Sequence, residues 1–578
     1  MSEPGSASFA GRQATAGTAA VRAARDFLFD HGTDYDGAVS GFHPPRPDEF
    51  NFALEWFDVV AGEHPDRPAV TIVEADLSAR SWTYADLSRR SDQVANWLFG
   101  LGIRRGSHVI VMLNNTIELW EVMLGIAKVG AVSIPTSTLL SATDLAYRID
   151  KGEADAVVTL TGLADRLEGA GDGILRIGIG DDLPDGWTGW DASAGADTEF
   201  APDRPTPASD TSLLYFTSGT TNRPKLVEHT QISYPIGHLS TMWWLGVRPG
   251  DVHLNISSPG WAKHAWSSFY SPFLAQATVF VFNYDRFDAG VLMRVMDTHH
   301  VSTFCAPPTV WRMLIQSDLG QLTHPPRELV GAGEPLNPEV IHRVRDAWGS
   351  TIRDGYGQTE MTCCVGNSPG QAVKDGSMGR ALPGYPVVLV DPTTGEQVAD
   401  EGEICLDLSR PVLGLMAGYF EDPEATAASR AGGYHHTGDI AARDAEGYLT
   451  YVGRADDVFK ASDYKISPFE LESVLLEHED VIEAAIVPSP DPVRLAVPKA
   501  YVCLTAVAAA DPDAAARAIF VHAHERLSAH QRVRIVEIVE ELPKTISGKI
   551  RRVELRAREA ERAASGDETG QFRDRDYR

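Results

Sequence analysis

Between Leu213 and Thr230 the chain reads LLYFTSGTTNRPKLVEHT. The apolar run Leu213 to Phe216 reads as a buried strand. It breaks into seven residues with no apolar side chain before Pro224, and Lys225 leads into a second extended run. Serine, glycine and threonine at that density offer backbone N–H groups and hydroxyls at close approach, as a phosphate requires, and Lys225 adds a point charge. A Gly/Thr turn is the simpler reading of such a segment on its own. It is not a Walker loop, because Pro224 replaces the glycine before the lysine and Leu226 follows where Ser or Thr belongs.

Three further stretches carry chemistry. Gly331-Ala332-Gly333-Glu334-Pro335 lets backbone approach a flat ligand, or simply turns a strand into a helix. In Asp354-Gly355-Tyr356-Gly357-Gln358-Thr359-Glu360 two glycines flank an aromatic, with a hydroxyl and a carboxylate just after. That set can stack a base, bond a phosphate and hold Mg²⁺ through Glu360; a glycine turn with an exposed glutamate has the same composition. In Tyr434-His435-His436-Thr437-Gly438-Asp439 an aspartate at a strand end can accept both ribose hydroxyls, or form a turn. The adjacent histidines point opposite ways on a strand, which favours a structural role.

These residues need a scaffold. Phe50 to Val59 reads as an amphipathic helix, and Leu87 to Leu101 as another with Thr83 or Asp86 as its cap. His108 to Leu113, then a helix from Ile117 to Val129, then Ala131 to Ile134 give strand–helix–strand with unbroken apolar strands, the pattern of a parallel sheet covered on both faces. Val157–Leu160, Ile177–Ile179, Val279–Phe282, Thr303–Cys305 and Glu328–Val330 extend it, and 181–210 reads as a surface loop. The charged junction Gly453 to Asp457 reads as a boundary. Beyond it a smaller unit alternates strands with the helices Pro468–Glu477 and Ala514–Leu527, the latter with Asp513 as cap. Pro543 to Ile550 reads as an exposed loop, and Arg551 to Arg578 as a solvated, fraying helix.

Composition narrows the partners. The 578 residues carry 51 Lys and Arg against 80 Asp and Glu, a net charge of −29, which repels a nucleic-acid backbone. The same field opposes ATP, so a triphosphate site must be locally basic and metal-assisted. The five cysteines form no CxxC pair and no zinc-ligand spacing, as expected of reduced thiols in the cytoplasm. No run of about 18 apolar residues and no signal pattern is present, so no membrane partner is expected.

TSGTTNRPK, GAGEP, GYGQTE, YHHTGD with GRADD, and PKTISGK occur in that order. Together they resemble the motifs of the adenylate-forming enzymes, the superfamily of acyl-CoA synthetases, luciferases and peptide-synthetase adenylation domains. The similarity runs from about Phe50 to Arg556. FNFA near the start, PGWAKHAW at Pro259–Trp266 and PSPDPVR at Pro488–Arg494 are most similar to medium-chain and aromatic acyl-CoA synthetases. The resemblance implies an α/β fold: a large N-terminal domain of mixed, largely parallel sheets covered by helices, and a small mobile α+β lid. The expected divisions are a leader over 1–47, the ATP- and carboxylate-binding domain over 48–455, the lid over 456–565 and a charged tail over 566–578. The implied reaction joins a small-molecule carboxylate, medium-chain or aromatic, to AMP with release of pyrophosphate, then passes the acyl group to CoA. A homodimer is compatible with it.

By match of motif, Thr217, Ser218, Gly219, Thr220, Thr221 and Lys225 would handle the phosphates. Gly333, Glu334 and Pro335, with Asp354, Gly355, Tyr356 and Gly357, would line the adenine. Thr359 would touch the α-phosphate, and Glu360 with Thr220 the magnesium. Asp439 and Arg454 would hold the ribose, and Asp456 would be the hinge. Trp261, Ala262 and His264 sit where relatives build the acyl pocket. Lys549 would reach the carboxylate and the bridging oxygen during adenylation. Thr359, Glu360, Lys225 and Lys549 are thus the expected catalytic group.

Two departures stand out. Asn222 replaces a usual glycine, and asparagine tolerates positive φ best among the other residues. By the same resemblance Ser462, Asp463, Tyr464 and Lys465 would line the acceptor tunnel, with Asp463 where CoA-using relatives usually have glycine and Lys465 where they have arginine. A carboxylate there would disfavour a nearby thiolate, so an alternative reading has a different acceptor: nitrite, in a diazotase of aromatic amines, or a carrier protein. The reaction builds charge at phosphorus and needs fixed cations rather than a protein nucleophile. Lys549→Ala is therefore expected to slow adenylation by ~10²–10³, the scale for losing one such group. Thioester formation from a preformed adenylate should survive. Single-turnover assays of the two half-reactions check this, and an equal fall in both would remove Lys549 from its assigned role.

Overall fold

The computed structural model describes residues 12–171, 173–217, 224–334, 336–461, 464–491, 494–544 and 550–577. The fold is α/β, with a large N-terminal unit built on two sheets and a small C-terminal one. An eight-stranded sheet places Thr211–Phe216 between Leu226–Thr230 and Val132–Pro135, and continues through His108–Met112 and Ala156–Leu160. His108–Met112 is buried along almost its whole length, as its unbroken apolar sequence requires of a strand covered on both faces.

The second sheet has fourteen strands. Its parallel centre pairs Val252–Asn255 with Thr303–Ala306, then Glu328–Ala332, then Ile352–Gly357. From Ile352–Gly357 the pairing turns antiparallel, through Cys363–Gly366 and Ser377–Ala381, to the hairpin of Leu449–Arg454 and Tyr434–Arg443. One sheet thus carries both the strand bearing Tyr356 and the strand bearing Asp439.

Thr83 caps Tyr84–Gly100 in a capping box with Asp86. That helix packs on Ile117–Val129, which ends at Gly130 with φ 78°. Between them Lys128 is fully buried, its Nζ 2.8 Å from Asp58 Oδ1, 2.9 Å from Asp92 Oδ1 and 3.0 Å from the Ser88 carbonyl. Among the described residues no helix is long and apolar enough to cross a membrane.

Several expectations need correction. Residues 12–47 are not a flexible leader: Ala16–Asp30 and Tyr35–Gly41 are helices, and Val21 and Leu28 are fully buried. The arm is pinned where Trp243 Nε1 donates to the His31 carbonyl at 3.2 Å and Tyr35 donates to the Ala381 carbonyl at 2.8 Å. The loop 181–210 contains the strand Thr188–Gly189 and a 3₁₀ turn, Trp190–Gly195. The helix expected at Ala514 begins at Pro512 and is capped by Asp511, not Asp513, because proline suits the first helical position.

The C-terminal unit has a four-stranded sheet, Val481–Asp491, Leu495–Leu504, Ile535–Ile538 and Gln571–Arg573. The last strand overturns the expectation of a fraying tail. Local charge density hid a pairing that Asp574 secures by accepting from Arg534 at 2.7 Å. Buried Lys499 ties the sheet to Glu537 at 2.8 Å and to Glu559 of the helix Arg552–Ser565. The cysteines Cys305, Cys363, Cys364, Cys405 and Cys503 are all buried and unbridged.

Two indoles set the strand that carries Tyr356. A Cβ at Gly355 would lie 2.3 Å from Trp244 Cζ2, and one at Gly357 would lie 2.6 Å from Trp266 Cη2. Glycine is thus required at both positions to admit the rings. Gly355→Ala is expected to destabilise the protein by about 1–3 kcal/mol through overpacking. Denaturant unfolding checks this, and the loss should shrink in a Gly355→Ala/Trp244→Leu double variant.

Candidate active site

The carboxyl ends of the parallel strands lie on one side of the sheet, the edge where open α/β sheets bind ligands. The most heavily braced group there is Asp439. Tyr356 donates its hydroxyl to Oδ2 at 2.7 Å, and Gln358 Nε2 donates to the same oxygen at 2.6 Å. Tyr451 donates to Oδ1 at 3.2 Å, and Arg454, its register partner across the hairpin, donates Nη1 at 3.4 Å. Gln358 and Arg454 also both donate to the Thr437 carbonyl. Burial alone would lower the Arg454 guanidinium's affinity for its proton, but the carboxylates of Asp439 and Asp456 outweigh it and hold that affinity above its ordinary value. Gly438 has φ 72°, and a Cβ there would sit 2.8 Å from Arg454 Nη2, so glycine is required. Glu403 fixes the same turn, accepting from the Gly438 N–H at 2.7 Å and pairing with His436 at 2.8 Å.

A second cluster gathers around Tyr419, which an antiparallel pairing sets opposite Val227. The Lys225 ammonium lies 4.6 Å from the centre of its ring, and its hydroxyl donates to Glu360 Oε1 at 3.0 Å. Burial pushes the Glu360 carboxyl above the usual range, against the pull of its own N–H, Tyr419 and Lys225. The backbone of this segment is tied down on both sides. Met416 donates its N–H to the Glu360 carbonyl at 2.8 Å, and His229 Nε2 bonds the Thr359 carbonyl at 2.7 Å. Burial pushes His229 down to about 4, so at neutral pH it is uncharged, with its proton on Nε2. Thr217 donates its N–H to the Lys225 carbonyl at 2.9 Å, pairing the chain on either side of the Gly/Thr segment. The Glu360 carboxylate, which shares Tyr419 with the Lys225 ammonium, is a fitting partner for Mg²⁺, which takes one or two carboxylates and completes its shell with phosphate oxygens.

Gly333 has φ 113°, and a Cβ there would meet nothing within 4 Å, so the strand end presents bare backbone to open space. Glu334 faces Arg312 at 3.6 Å. Asp354 braces the turn, accepting from Gly355 N–H at 2.9 Å and Leu336 N–H at 3.4 Å, and burial pushes its carboxyl up to about 7. Trp261 and Ala262 are half-buried at the start of a short helix, Ala262–Ala265. His264 turns away from the site: its Nε2 bonds Asn115 Oδ1 at 2.9 Å, its ring lies 6.0 Å from Trp120, and burial pushes it down to about 3. At the hinge Arg454 Nε lies 3.4 Å from Asp456 Oδ1, while the neighbouring Asp457 pairs with Arg552 and Arg556 of the C-terminal unit. Tyr464 is exposed and stacks on His530 at 4.3 Å. Ser218, Gly219, Thr220, Thr221, Pro335, Ser462, Asp463 and Lys549 lie outside the described residues, as does the Lys465 side chain.

The sequence reading missed Gln358, Tyr451, Tyr419, His229 and Lys263. Gln358 stood inside a motif already singled out, and Tyr451 shares a short strand with Arg454. Tyr419 and His229 carry no local signal, because the partners that give them meaning are 59 and 130 residues away.

The family profile described as AMP-binding enzyme matches residues 57–420, and that of the AMP-binding enzyme C-terminal domain matches 470–549. The 4-hydroxybutyrate–CoA ligase 1 of Metallosphaera sedula is 42% identical over 523 residues, covering 89% of this chain and 88% of that one. A mitochondrial acyl-coenzyme A synthetase of Homo sapiens is 36% identical, covering 90% and 93%. The crystal structure of the Brucella canis acyl-CoA synthetase is similar with a TM-score of 0.71 and 33% identity, covering 91% of this chain and 99% of that one.

Tyr419→Phe keeps the ring beneath Lys225 and removes the bond to Glu360. Mg²⁺-dependent ATP binding is expected to weaken about 10- to 100-fold, the cost of one hydrogen bond to a charged group. Calorimetric titration with and without Mg²⁺ checks this; a fall that is the same without the metal would break the link to Glu360.

Proposed function

The chain belongs to the family of AMP-binding enzymes and is an AMP-forming acyl-CoA ligase using ATP, Mg²⁺ and CoA, and within that activity we propose which residues do which work and what size of acid is taken. The carboxylate of the acid attacks the α-phosphorus of ATP and expels pyrophosphate; the thiol of CoA then attacks the acyl carbon and expels AMP.

Asp439 takes the ribose hydroxyls. It is held by four donors, Tyr356 and the Gln358 that follows its strand, and Tyr451 and Arg454 from the facing hairpin strand, and is therefore preorganised, and this observation carries the assignment. Tyr356 packs beside the base, and the bare backbone at Gly333 receives its flat face. Lys225 and Thr217 meet the terminal phosphates together with Ser218, Gly219, Thr220 and Thr221. Thr359, held by His229, meets the α-phosphate. Glu360, with Thr220, holds the magnesium, which neutralises phosphate charge when bound. Lys549 brings its charge to the reacting carboxylate, and Asp456 turns the lid between the two steps. Ser462, Asp463, Tyr464 and Lys465 line the route of the thiol. The five buried, unbridged cysteines fit the cytoplasm as its compartment.

The acid is short. Trp266, which follows the helix Ala262–Ala265, fills the space against Gly357, its Nε1 fixed by the Tyr234 hydroxyl at 2.8 Å. A relative named for a four-carbon acid supports this size. The test is AMP release from Mg·ATP with unbranched and aromatic acids of graded size, with and without CoA, reading the thioester by mass. The expected result is CoA-stimulated AMP release that falls with acid length. Trp266→Ala should move the optimum to longer or aromatic acids; AMP without any thioester would sink the CoA assignment.

A further inference from the structure

Among the described residues Lys128, Lys499 and Lys263 have deeply buried ammonium groups, and the first two follow the rule that a buried charge is paired. Lys128 is saturated by Asp58, Asp92 and a carbonyl, and Lys499 by Glu537 and Glu559. Lys263 is different. Its Nζ is sealed from solvent and has no hydrogen-bond partner among the described residues.

Its position gives the exception a meaning. Lys263 lies in the first turn of Ala262–Ala265, between Ala262 and the His264 that turns away towards Asn115. The ionisable groups that act on it through space are Cys305 near the end of Thr303–Ala306, Glu334 in the turn after the neighbouring Glu328–Ala332, and Asp354 within the next parallel strand, Ile352–Gly357. None is in ion-pair contact with it. Glu334 is engaged with Arg312, and Asp354 is committed to the N–H groups of Gly355 and Leu336. The ammonium therefore stands over the same strand ends as the acyl site, with three unused N–H donors.

We propose that Lys263 is the specificity-determining residue of the acyl pocket, and that the acid activated here is a short one carrying an oxygen acceptor at its far end: a hydroxyl, a carbonyl or a second carboxylate. The inference rests on the ligase reading and on the short pocket bounded by Trp266. A plain alkyl acid would leave the ammonium buried and unpaired, the arrangement that makes a site reject an analogue lacking the polar group. Burial lowers the affinity of Lys263 for its proton, and an acceptor oxygen would restore it.

The experiment compares, in the full-length protein, matched unsubstituted, ω-hydroxy and dicarboxylic acids of three, four and five carbons, reading AMP and thioester. The wild type is expected to favour an oxygenated acid over its unsubstituted match by about 10- to 100-fold in kcat/KM, the scale of a charge-assisted hydrogen bond. Lys263→Met should collapse that ratio by a similar factor. Lys263→Gln, which keeps a donor without the charge, should retain part of the preference for a hydroxyl and lose that for a second carboxylate. Lys263→Met should also raise the thermal unfolding midpoint, because it removes an uncompensated charge.

A wild type that prefers the unsubstituted acids would overturn the proposal while leaving the ligase reading intact. So would a Lys263→Met variant in which all acids fall by the same factor, placing Lys263 on the reacting carboxylate instead. A lower midpoint in Lys263→Met would contradict the unpaired ammonium. No AMP from any acid would defeat the ligase reading, and this inference with it.

Discussion

One carboxylate, that of Asp439, joins parts of the molecule that have little else in common. It receives Tyr356 from the strand ending at Gly357, the glutamine that follows it, and Tyr451 and Arg454 from the opposite strand of its own hairpin, which leads to the C-terminal unit. The strand ends proposed to hold the nucleotide and the junction between the two units are therefore one hydrogen-bonded assembly. Tyr451 shows this most directly: its hydroxyl bonds Asp439, while its ring packs at 5.5 Å against Phe469 on the first helix of the C-terminal unit. A ligand that takes up donors or acceptors at Asp439 acts on groups that also touch the lid.

The electrostatic problem is set by the whole chain. At −29 it repels every anion it must bind, so each cation near the site has to be placed and protected. Tyr419 does this for Lys225 with a ring face, which attracts the ammonium without neutralising it as a carboxylate would. Its hydroxyl meanwhile holds Glu360 at a short remove, so one aromatic side chain separates the two opposite charges. Lys128 and Lys499, by contrast, are spent on structure, each cancelled by acids and each tying helices or strands together.

The parallel strands, the capped helices and the motifs were legible in the sequence because each is a local matter of periodicity or spacing. Thr83 with Asp86 and the apolar run at His108 needed no distant partner to be read. What escaped was long-range. Gln571–Arg573 looked like part of a charged tail because a strand at a sheet edge can be polar, and only pairing with Ile535–Ile538 reveals it. The helices of residues 16–41 were hidden by small residues, whose packing depends on Trp243 and Ala381 far along the chain. At the site the same division holds: Asp439, Glu360 and Lys225 stood in motifs, whereas Tyr419 and His229 acquire their roles only when the chain has folded.

The buried cysteines acquire a chemical meaning once the reaction is known. An acyl-adenylate is a strong acylating agent, and the enzyme must hold it until one particular thiol arrives. Cys363 and Cys364 lie on the strand that pairs with the one carrying Tyr356, and Cys305 ends a neighbouring parallel strand. None is presented to solvent, and burial keeps the first two thiols protonated far above neutral pH. Sulfur on these strands is thus kept in a form that cannot attack an acyl-adenylate. Self-acylation is suppressed by the packing of the sheet, and the reactive thiolate has to come from outside.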